Sequence, residues 1–279
     1  MKDICFICNS HVKEVTTYSR KCINCNYYFS NLEPGVGQDV SGIEELRRKN
    51  FKKLLQEVQK LKSDPYILEI GSGDGFFLDE CLKLGIRVVG SEASKFSIKK
   101  LKKKFSKEID IIELNLPESI ERKIKKKFDF LIFNDVFEHL VEINNVLVEI
   151  KKGLKKGGFI IVNLPSSDGI IFKVSKFLTI LGFDKFYNRL WQKDMSSPHL
   201  SYFNKKNLNK LFKTHSFENV KSGFLDSLCL NNYERIRNLY SNSFVTFLAS
   251  VTCCIFYLFH RVLPKDIIYI FFKKINRSK

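Results

Sequence analysis

The sequence predicts an α/β protein: a parallel sheet carrying a ligand at its edge, preceded by a small cysteine-bound module and followed by an apolar tail. Three observations carry this. Residues 66–84 pass from an apolar run through a glycine-rich turn into a helical pattern. Four of the eight cysteines stand in two CxxC pairs near the N-terminus, and residues 244–259 form sixteen consecutive positions without a charge. The 279 residues leave room for one ordinary domain with appendages, and 44% apolar against 28% charged excludes wholesale disorder. Lys and Arg number 47 against 30 Asp and Glu, a net charge of +17. That excess favours nucleic acid, an anionic membrane surface or phosphorylated substrates, against lysine spread by coding bias over every solvated face. The first residues lack the apolar core of a secretory signal, so the expected compartment is the cytoplasm and the cysteines are expected as thiols or metal ligands.

Cys5-Phe-Ile-Cys8 and Cys22-Ile-Asn-Cys25 enclose thirteen residues between them. Each pair can wrap a turn around one tetrahedral ion, and residues 12–18 read as a hairpin strand. A segment this short buries too little apolar surface to fold alone, so a metal would supply the missing energy. Residues 1–38 are therefore expected as a zinc ribbon in which Cys5, Cys8, Cys22 and Cys25 hold a structural Zn²⁺. Four thiolates close the coordination sphere and leave no position for a substrate water. His11 reads as a surface residue, and Tyr27-Tyr28-Phe29 as the apolar seam to the next domain.

An apolar strand around Ile67 and Leu68 ends in Gly71, Gly73 and Gly75, and a helical pattern follows with Phe77, Leu78, Cys81 and Leu82 on one face. Such a turn lets a ligand approach the backbone at the carboxyl edge of a parallel sheet. A second strand through Val88 and Val89 ends at Glu92, seventeen residues past Gly75, where a carboxylate can grip both hydroxyls of a ribose. An adenosine-type cofactor follows. The dinucleotide spacing G-x-G-x-x-G is not met, because the run is Glu69-x-Gly71-x-Gly73-x-Gly75.

That E-x-G-x-G-x-G run resembles motif I of the class I S-adenosylmethionine-dependent methyltransferases, and the likeness extends from about Ser41 to Phe224. Phe128-Asp-Phe-Leu-Ile-Phe-Asn-Asp-Val-Phe-Glu-His-Leu140 resembles the family's fourth strand and the loop-helix after it. Leu154-Lys-Lys-Gly-Gly-Phe-Ile-Ile-Val-Asn163 resembles its helix, Gly-Gly and fifth strand. Pro198-His-Leu-Ser-Tyr-Phe203 is similar to the segment before the sixth strand in small-molecule members. The resemblance implies a Rossmann-like, seven-stranded, mostly parallel sheet with helices on both faces and a reversed final strand, over residues 39–228. It implies S-adenosyl-L-methionine as cofactor, with Glu69, Gly71, Ser72, Gly73 and Gly75 at the methionyl part and Glu92 at the ribose. Asn115 or its neighbours would meet the adenine, and Asn134 and Asp135 would border the sulfonium. The bland alternative is a doubly wound domain holding another nucleotide.

Methyl transfer from a sulfonium needs positioning, exclusion of water and, for a hydroxyl or acidic carbon, a base. His139 is the candidate base, an imidazole with an ordinary pKa of about 6.5. It is expected in a helical stretch with Asp135 and Glu138 at i−4 and i−1, so that Asp135 and His139 share a face. Asp135-x-x-Glu138-His139 also resembles the Glu-x-x-Glu-His metal cluster of the ubiquinone-pathway O-methyltransferases, one methylene shorter at the first acid. That likeness makes Mg²⁺ at Asp135, Glu138 and His139 a candidate, against relatives that carry Glu-His without metal. By the same likeness His199 lies near the mouth of the acceptor site; the alternative is a histidine bonded to backbone to fix the turn after Pro198. His215 and His260 read as surface or packing residues, Cys81 as helix core, and Cys229, Cys253 and Cys254 as buried apolar residues.

Residues 170–197 read as an apolar helical insert, a lid over the acceptor by likeness to the family or else a helix packed on the core. The tail, 229–279, is expected to be helical. Its sixteen uncharged residues span about 24 Å as a helix, short of the roughly 30 Å hydrocarbon core of a bilayer. A helical hairpin lying on a membrane surface over residues 244–272 is the expectation, against a dimer interface or a pair of core helices. The lysine runs 99–104 and 123–127 read as solvated helix faces. The expected function is methyl transfer to oxygen or carbon of a small molecule, a sugar or lipid-linked saccharide intermediate, in the cytoplasm or peripherally on the inner face of the membrane. A zinc-ribbon ribosomal-RNA methyltransferase and a non-catalytic adapter are the alternatives. Nucleic acid is disfavoured because no RNA-binding module is present, and the adapter by the intact Glu69 glycine run with Glu92.

Overall fold

The computed structural model describes residues 3–36, 44–118, 120, 127–228, 246–247, 250–251 and 263–275. Three short strands come first, β1 (Val12–Glu14), β2 (Ser19–Cys22) and β3 (Tyr28–Ser30), then helix α1 (Glu44–Leu61). Strand and helix alternate through β4 (Tyr66–Ile70), α2 (Phe76–Lys83), β5 (Arg87–Glu92), α3 (Lys95–Phe105), β6 (Asp110–Glu113), β7 (Phe128–Asn134), α4 (Ile143–Gly153) and β8 (Leu154–Pro165). Helices α5 (Ile170–Ile180) and α6 (Lys185–Leu190), strand β9 (Ser201–Tyr202), helix α7 (Lys205–Thr214) and strands β10 (Phe217–Leu225) and β11 (Ile267–Lys274) follow.

Seven strands form one sheet in the order β10-β11-β8-β7-β4-β5-β6. β4 to β8 pair in parallel, and β11 runs antiparallel to both its neighbours. This is the Rossmann-like sheet expected, with one strand reversed, but that strand is β11 at 267–274, so the sheet extends beyond the expected bounds of 39–228 into the expected tail. All seven residues of β7 are buried, as a strand covered on both faces requires. Leu131 and Phe133 enter one layer with Val146, Leu147 and Ile150 of α4, while Phe130 and Ile132 enter the other with Leu54 and Val58 of α1 and Phe77 of α2. On α3 only Ile98, Leu101 and Phe105 are buried, so the lysines at 99–104 do face water. On α2, Leu82 departs from the expected stripe and is partly exposed.

The helical reading of 267–272 is corrected: these residues belong to β11. Their unbroken Ile, Tyr and Phe run suits a strand buried on both faces as well as a buried helix, and only the long-range pairing decides. Ile268, Ile270 and Phe272 enter one layer, Tyr269 and Phe271 the other. This stretch is therefore sheet interior and not part of a membrane hairpin. Most of the uncharged segment, with Cys229, Cys253, Cys254, His260 and lysines 123–126, lies outside the described residues. Among the described residues no helix is long and apolar enough to cross a membrane.

A second sheet has the order β1-β2-β3-β9. Its fourth strand comes from far along the chain, pairing Tyr28 with Tyr202 and Phe29 with Ser201. The N-terminal cysteine segment is thus completed by residues of the larger domain. The aromatic seam lies where the sequence placed it: the Tyr27 ring packs 5.0 Å from that of Phe203, and Tyr28 4.9 Å from Phe172.

Candidate functional site

The carboxyl ends of β4, β5 and β7 meet at the glycine turn. Gly71, Gly73 and Gly75 take φ of +71°, +50° and +76°, a region only glycine enters freely. A Cβ on Gly71 would stand 2.7 Å from Val136 Cγ2, and one on Gly75 2.6 Å from the Phe105 ring. A Cβ on Gly73 would meet nothing within 4 Å, so the middle of the turn faces open space. Ser72 fastens the turn to β5: its N–H donates to Ser91 O at 2.9 Å, and Ser91 N–H donates to Ser72 Oγ at 3.2 Å. Glu92 closes the arrangement, with Oε1 accepting from Gly73 N–H at 2.6 Å and Oε2 from Ala93 N–H at 3.1 Å. Asn115 is exposed on the adjoining loop, next to Leu114, whose N–H donates to Glu92 O at 2.9 Å.

Glu69 lies beneath the turn and is buried. Asn134 Nδ2 donates to its Oε1 at 2.9 Å, and Asn163 Nδ2 reaches Asn134 Oδ1 at 3.4 Å. Glu69 Oε2 and Asn163 Oδ1 have no protein partner. Burial, with the charge of Glu92 nearby, pushes the Glu69 carboxyl up to about 8. An unmet buried acceptor is costly, and a cationic or N–H-bearing ligand group would satisfy it. Sequence reasoning missed Asn163; its only signal is an amide at the carboxyl end of an otherwise apolar strand.

Asp135 departs from expectation. It sits in the loop after β7 with φ +53°, and only Phe137–His139 is helical, as a single 3₁₀ turn, so Asp135 and His139 share no helix face. Its carboxylate faces Arg47 of α1, with Nε 3.6 Å away, beside an 80 Å³ cavity lined also by Asn50, Asn163 and Ser227.

A ligand atom from each of Glu138, His139 and His199 falls within 4.8 Å of the others, and the two imidazole centres are 4.7 Å apart. His139 Nδ1 lies 2.9 Å from Pro198 O. A carbonyl only accepts, so Nδ1 carries the proton and Nε2 is the basic nitrogen. The Tyr202 hydroxyl donates to Leu190 O at 2.7 Å, which makes it an acceptor for His199 Nδ1–H at 3.1 Å. His199 Nε2 in turn accepts from Gln192 Nε2 at 3.0 Å. Burial, then the neighbouring His139, hold the pKa of His199 well below the usual imidazole range, so this ring is neutral. Glu138 is buried with neither carboxylate oxygen hydrogen-bonded, and burial followed by the charge of Asp135 raises it well above the carboxylate range.

The Mg²⁺ expectation is corrected. Asp135 stays outside the converging group and His199 takes its place. Two imidazoles and one carboxylate suit a borderline transition ion better than Mg²⁺, and His199 would have to give up Gln192 or Tyr202 to ligate. His215 lies apart, with Nε2 3.0 Å from Asn144 Oδ1.

The four N-terminal sulfurs also converge within 4.8 Å, with Cys5 and Cys25 at 3.7 Å and Cys8 and Cys22 at 3.3 Å. These are far longer than a disulfide of about 2.05 Å and near the roughly 3.8 Å edge of a tetrahedron with Zn–S bonds of about 2.3 Å. His11 is exposed and outside the group. The module reaches the histidines directly: Ser30 Oγ donates to His199 O at 2.8 Å and Ser30 N–H to Leu200 O at 3.0 Å. A 540 Å³ groove opens between this module and the start of α4, lined by Phe6, Tyr27, Phe29 and Asn145 among others. No sequence pattern announced that contact.

A methyltransferase-domain family model matches residues 43–222. Over 170 residues the chain is 31% identical to a ubiquinone biosynthesis O-methyltransferase of Pelagibacter ubique, a match covering 59% of this chain and 69% of that relative. Among solved structures, the fold is similar to a SAM-dependent methyltransferase from Archaeoglobus fulgidus, with TM-score 0.53 and 18% identity, over 83% of this chain and 97% of that one. It is also similar to the magnesium protoporphyrin IX methyltransferase from Synechocystis with bound SAH, with TM-score 0.52 and 11% identity, over 86% and 90%. The chain belongs to the methyltransferase-domain family and is an S-adenosylmethionine-dependent methyltransferase.

Proposed function

We propose that this methyltransferase transfers its methyl group to a hydroxyl oxygen of a small acceptor, with His139 as the base. One observation carries the reading: Val136 packs on the Gly71 turn three residues before His139, so the glycine turn and the basic nitrogen belong to one corner. S-adenosylmethionine, when bound, supplies a methyl already activated by its sulfonium. Glu69 with Gly71, Ser72, Gly73 and Gly75 would hold the methionyl end. Glu92 would exchange Gly73 N–H for the ribose hydroxyls, Asn115 would border the adenine, and Asn134 and Asp135 would border the sulfonium. His139 takes the hydroxyl proton at Nε2 as the oxygen gains the methyl, while Pro198 O keeps the ring in the required tautomer. His199, neutral and bonded at both nitrogens, acts as a positioning residue and not as a second base.

Oxygen is preferred to carbon because the Pelagibacter relative is named for O-methylation. The acceptor class we favour is a sugar or lipid-linked saccharide intermediate, supported by the apolar insert 170–197, whose Trp191 O accepts the His199 N–H at 3.0 Å and which would serve as a lid. Cys5, Cys8, Cys22 and Cys25 would hold a structural Zn²⁺, for which their sulfur spacing fits.

Calorimetric titration with S-adenosylmethionine tests the cofactor assignment: saturable binding is expected, and Glu92→Ala should weaken it by about tenfold or more. Radiolabelled cofactor offered with lipid extracts, nucleotide sugars and RNA tests the acceptor. Label in the lipid or sugar fractions is expected; label in RNA alone would overturn the acceptor class.

A further inference from the structure

Helices α5 and α6 form a hairpin whose two faces are used in opposite ways. Inward, Phe172 and Tyr187 are buried against the N-terminal sheet, with ring centres 4.9 Å (Phe172–Tyr28) and 6.4 Å (Tyr187–Tyr18) from their partners. Outward, Phe177 is 60% and Ile180 73% exposed, and Leu181, Phe183 and Phe186 are each more than half exposed. Five large apolar side chains within ten residues make a ridge that scattered surface hydrophobics do not explain. Beside the ridge a 390 Å³ cleft opens between α5 and β2, lined by Lys21, Lys173, Lys176 and Tyr28, with Asp168 as its acid. Lys176 Nζ donates to Tyr28 OH at 3.1 Å, and Lys21 Nζ stands 5.6 Å from the same ring.

We propose that the α5–α6 ridge and this lysine cleft seat the protein on an anionic lipid surface. The ridge enters the boundary between headgroups and acyl chains, and Lys21, Lys173 and Lys176 receive lipid phosphates. An amphipathic hairpin with aromatic and aliphatic tips and lysines along its flank has the composition of an interfacial element. Charge complementarity selects this occupant. A second copy docked ridge to ridge would bring two such lysine sets together on chains already carrying +17, whereas a sheet of phosphates neutralises them. This site is separate from the residues 244–272 first expected to meet a membrane, and it does not depend on what the enzyme methylates.

The test uses full-length protein, sedimented with vesicles of phosphatidylcholine alone and of phosphatidylcholine mixed with phosphatidylglycerol. Binding to the mixed vesicles is expected to be about tenfold tighter or more, and Phe177→Asp with Ile180→Asp should remove most of it. Lys21→Ala, Lys173→Ala and Lys176→Ala together should cost about fivefold per lysine. All variants should keep the parent's S-adenosylmethionine affinity, and the Phe177 and Ile180 variant its melting temperature, since those two side chains are largely exposed. The lysine variant, which gives up the Lys176 bond to Tyr28, is compared at a temperature where it remains folded. Millimolar inorganic phosphate should not release the protein; release would make the cleft a free-phosphate site and overturn the lipid assignment. Equal retention on neutral vesicles, or undiminished binding of the Phe177 and Ile180 variant, would also overturn it. So would a dimer in solution that this variant abolishes, since it shows the ridge covered by a second copy.

Discussion

The glycine turn and the histidine corner adjoin at one edge of the same sheet, yet they are built in opposite ways. The turn is mostly local: Glu69 to Gly75 lie in seven consecutive residues, Ser91, Glu92 and Asn134 reach in from neighbouring strands, and Val136 and Phe105 pack on its outer glycines. The corner is assembled. His139 is oriented by Pro198 from 59 residues away, His199 by Gln192 and Tyr202, and the backbone of His199 by Ser30 of the cysteine module. A local device depends on its own backbone angles, while an assembled one depends on every element that carries a part of it.

Substitutions should separate the two. Gly71→Val has the largest expected effect: its side chain would meet Val136 at a positive φ. Cofactor affinity should fall by about a hundredfold or more, measured by calorimetry. His139→Ala should instead lower kcat by about 10²–10⁴-fold and leave cofactor affinity unchanged; a shared loss of affinity would mean that turn and corner are one unit. Cys5→Ser with Cys25→Ser tests the long reach of the corner. Loss of two of the four converging sulfurs should loosen β3, displace His199 and lower kcat by about tenfold or more while cofactor affinity changes by less than about threefold. Unchanged kcat in a protein with a lowered melting temperature would disconnect the module from the chemistry.

The smallest effect concerns pH. The Glu69 carboxyl titrates at about 8 in the folded chain against an ordinary 4.5. Ionisation therefore favours the unfolded chain, and without cofactor stability should fall as pH rises from about 4.5 to 8, by a few kcal/mol at most. Glu69→Gln should flatten that slope. Melting curves of the two proteins across this window make the check, and parallel curves would place the buried charge elsewhere.

The same division explains what the sequence revealed. The turn was legible because positive φ demands glycine at fixed spacing and Glu92 ends the next strand in register. The convergence of the four cysteines was legible because two CxxC pairs can each wrap a turn about one point, and His139 was singled out only by the likeness of the segment after β7 to the family's fourth strand. Asp135 was misplaced because a helical i−4 relation was assumed where the chain makes a single tight turn. The part played by Ser30 was invisible, because it lies 169 residues from His199 and only the pairing of β3 with β9 brings it there. Gln192 and Tyr202 stand seven and three residues from His199, but no periodic pattern marks their bonds to its ring. β11 was misread because six apolar residues carry no period of their own, and burial on both sides erases the alternation that marks a half-buried strand.

The position of β11 also governs how the molecule is made. Its two partners, β8 and β10, are separated from each other by its full width. A ribosome thus releases six strands of the sheet before the one that joins the outermost to the rest. Until residues 267–274 emerge, β8 offers an unpaired row of amides and carbonyls to any passing strand. Nascent chains interrupted upstream of that point would be prone to clump, and a chaperone's period of service would be set by the time residues 267–274 take to emerge.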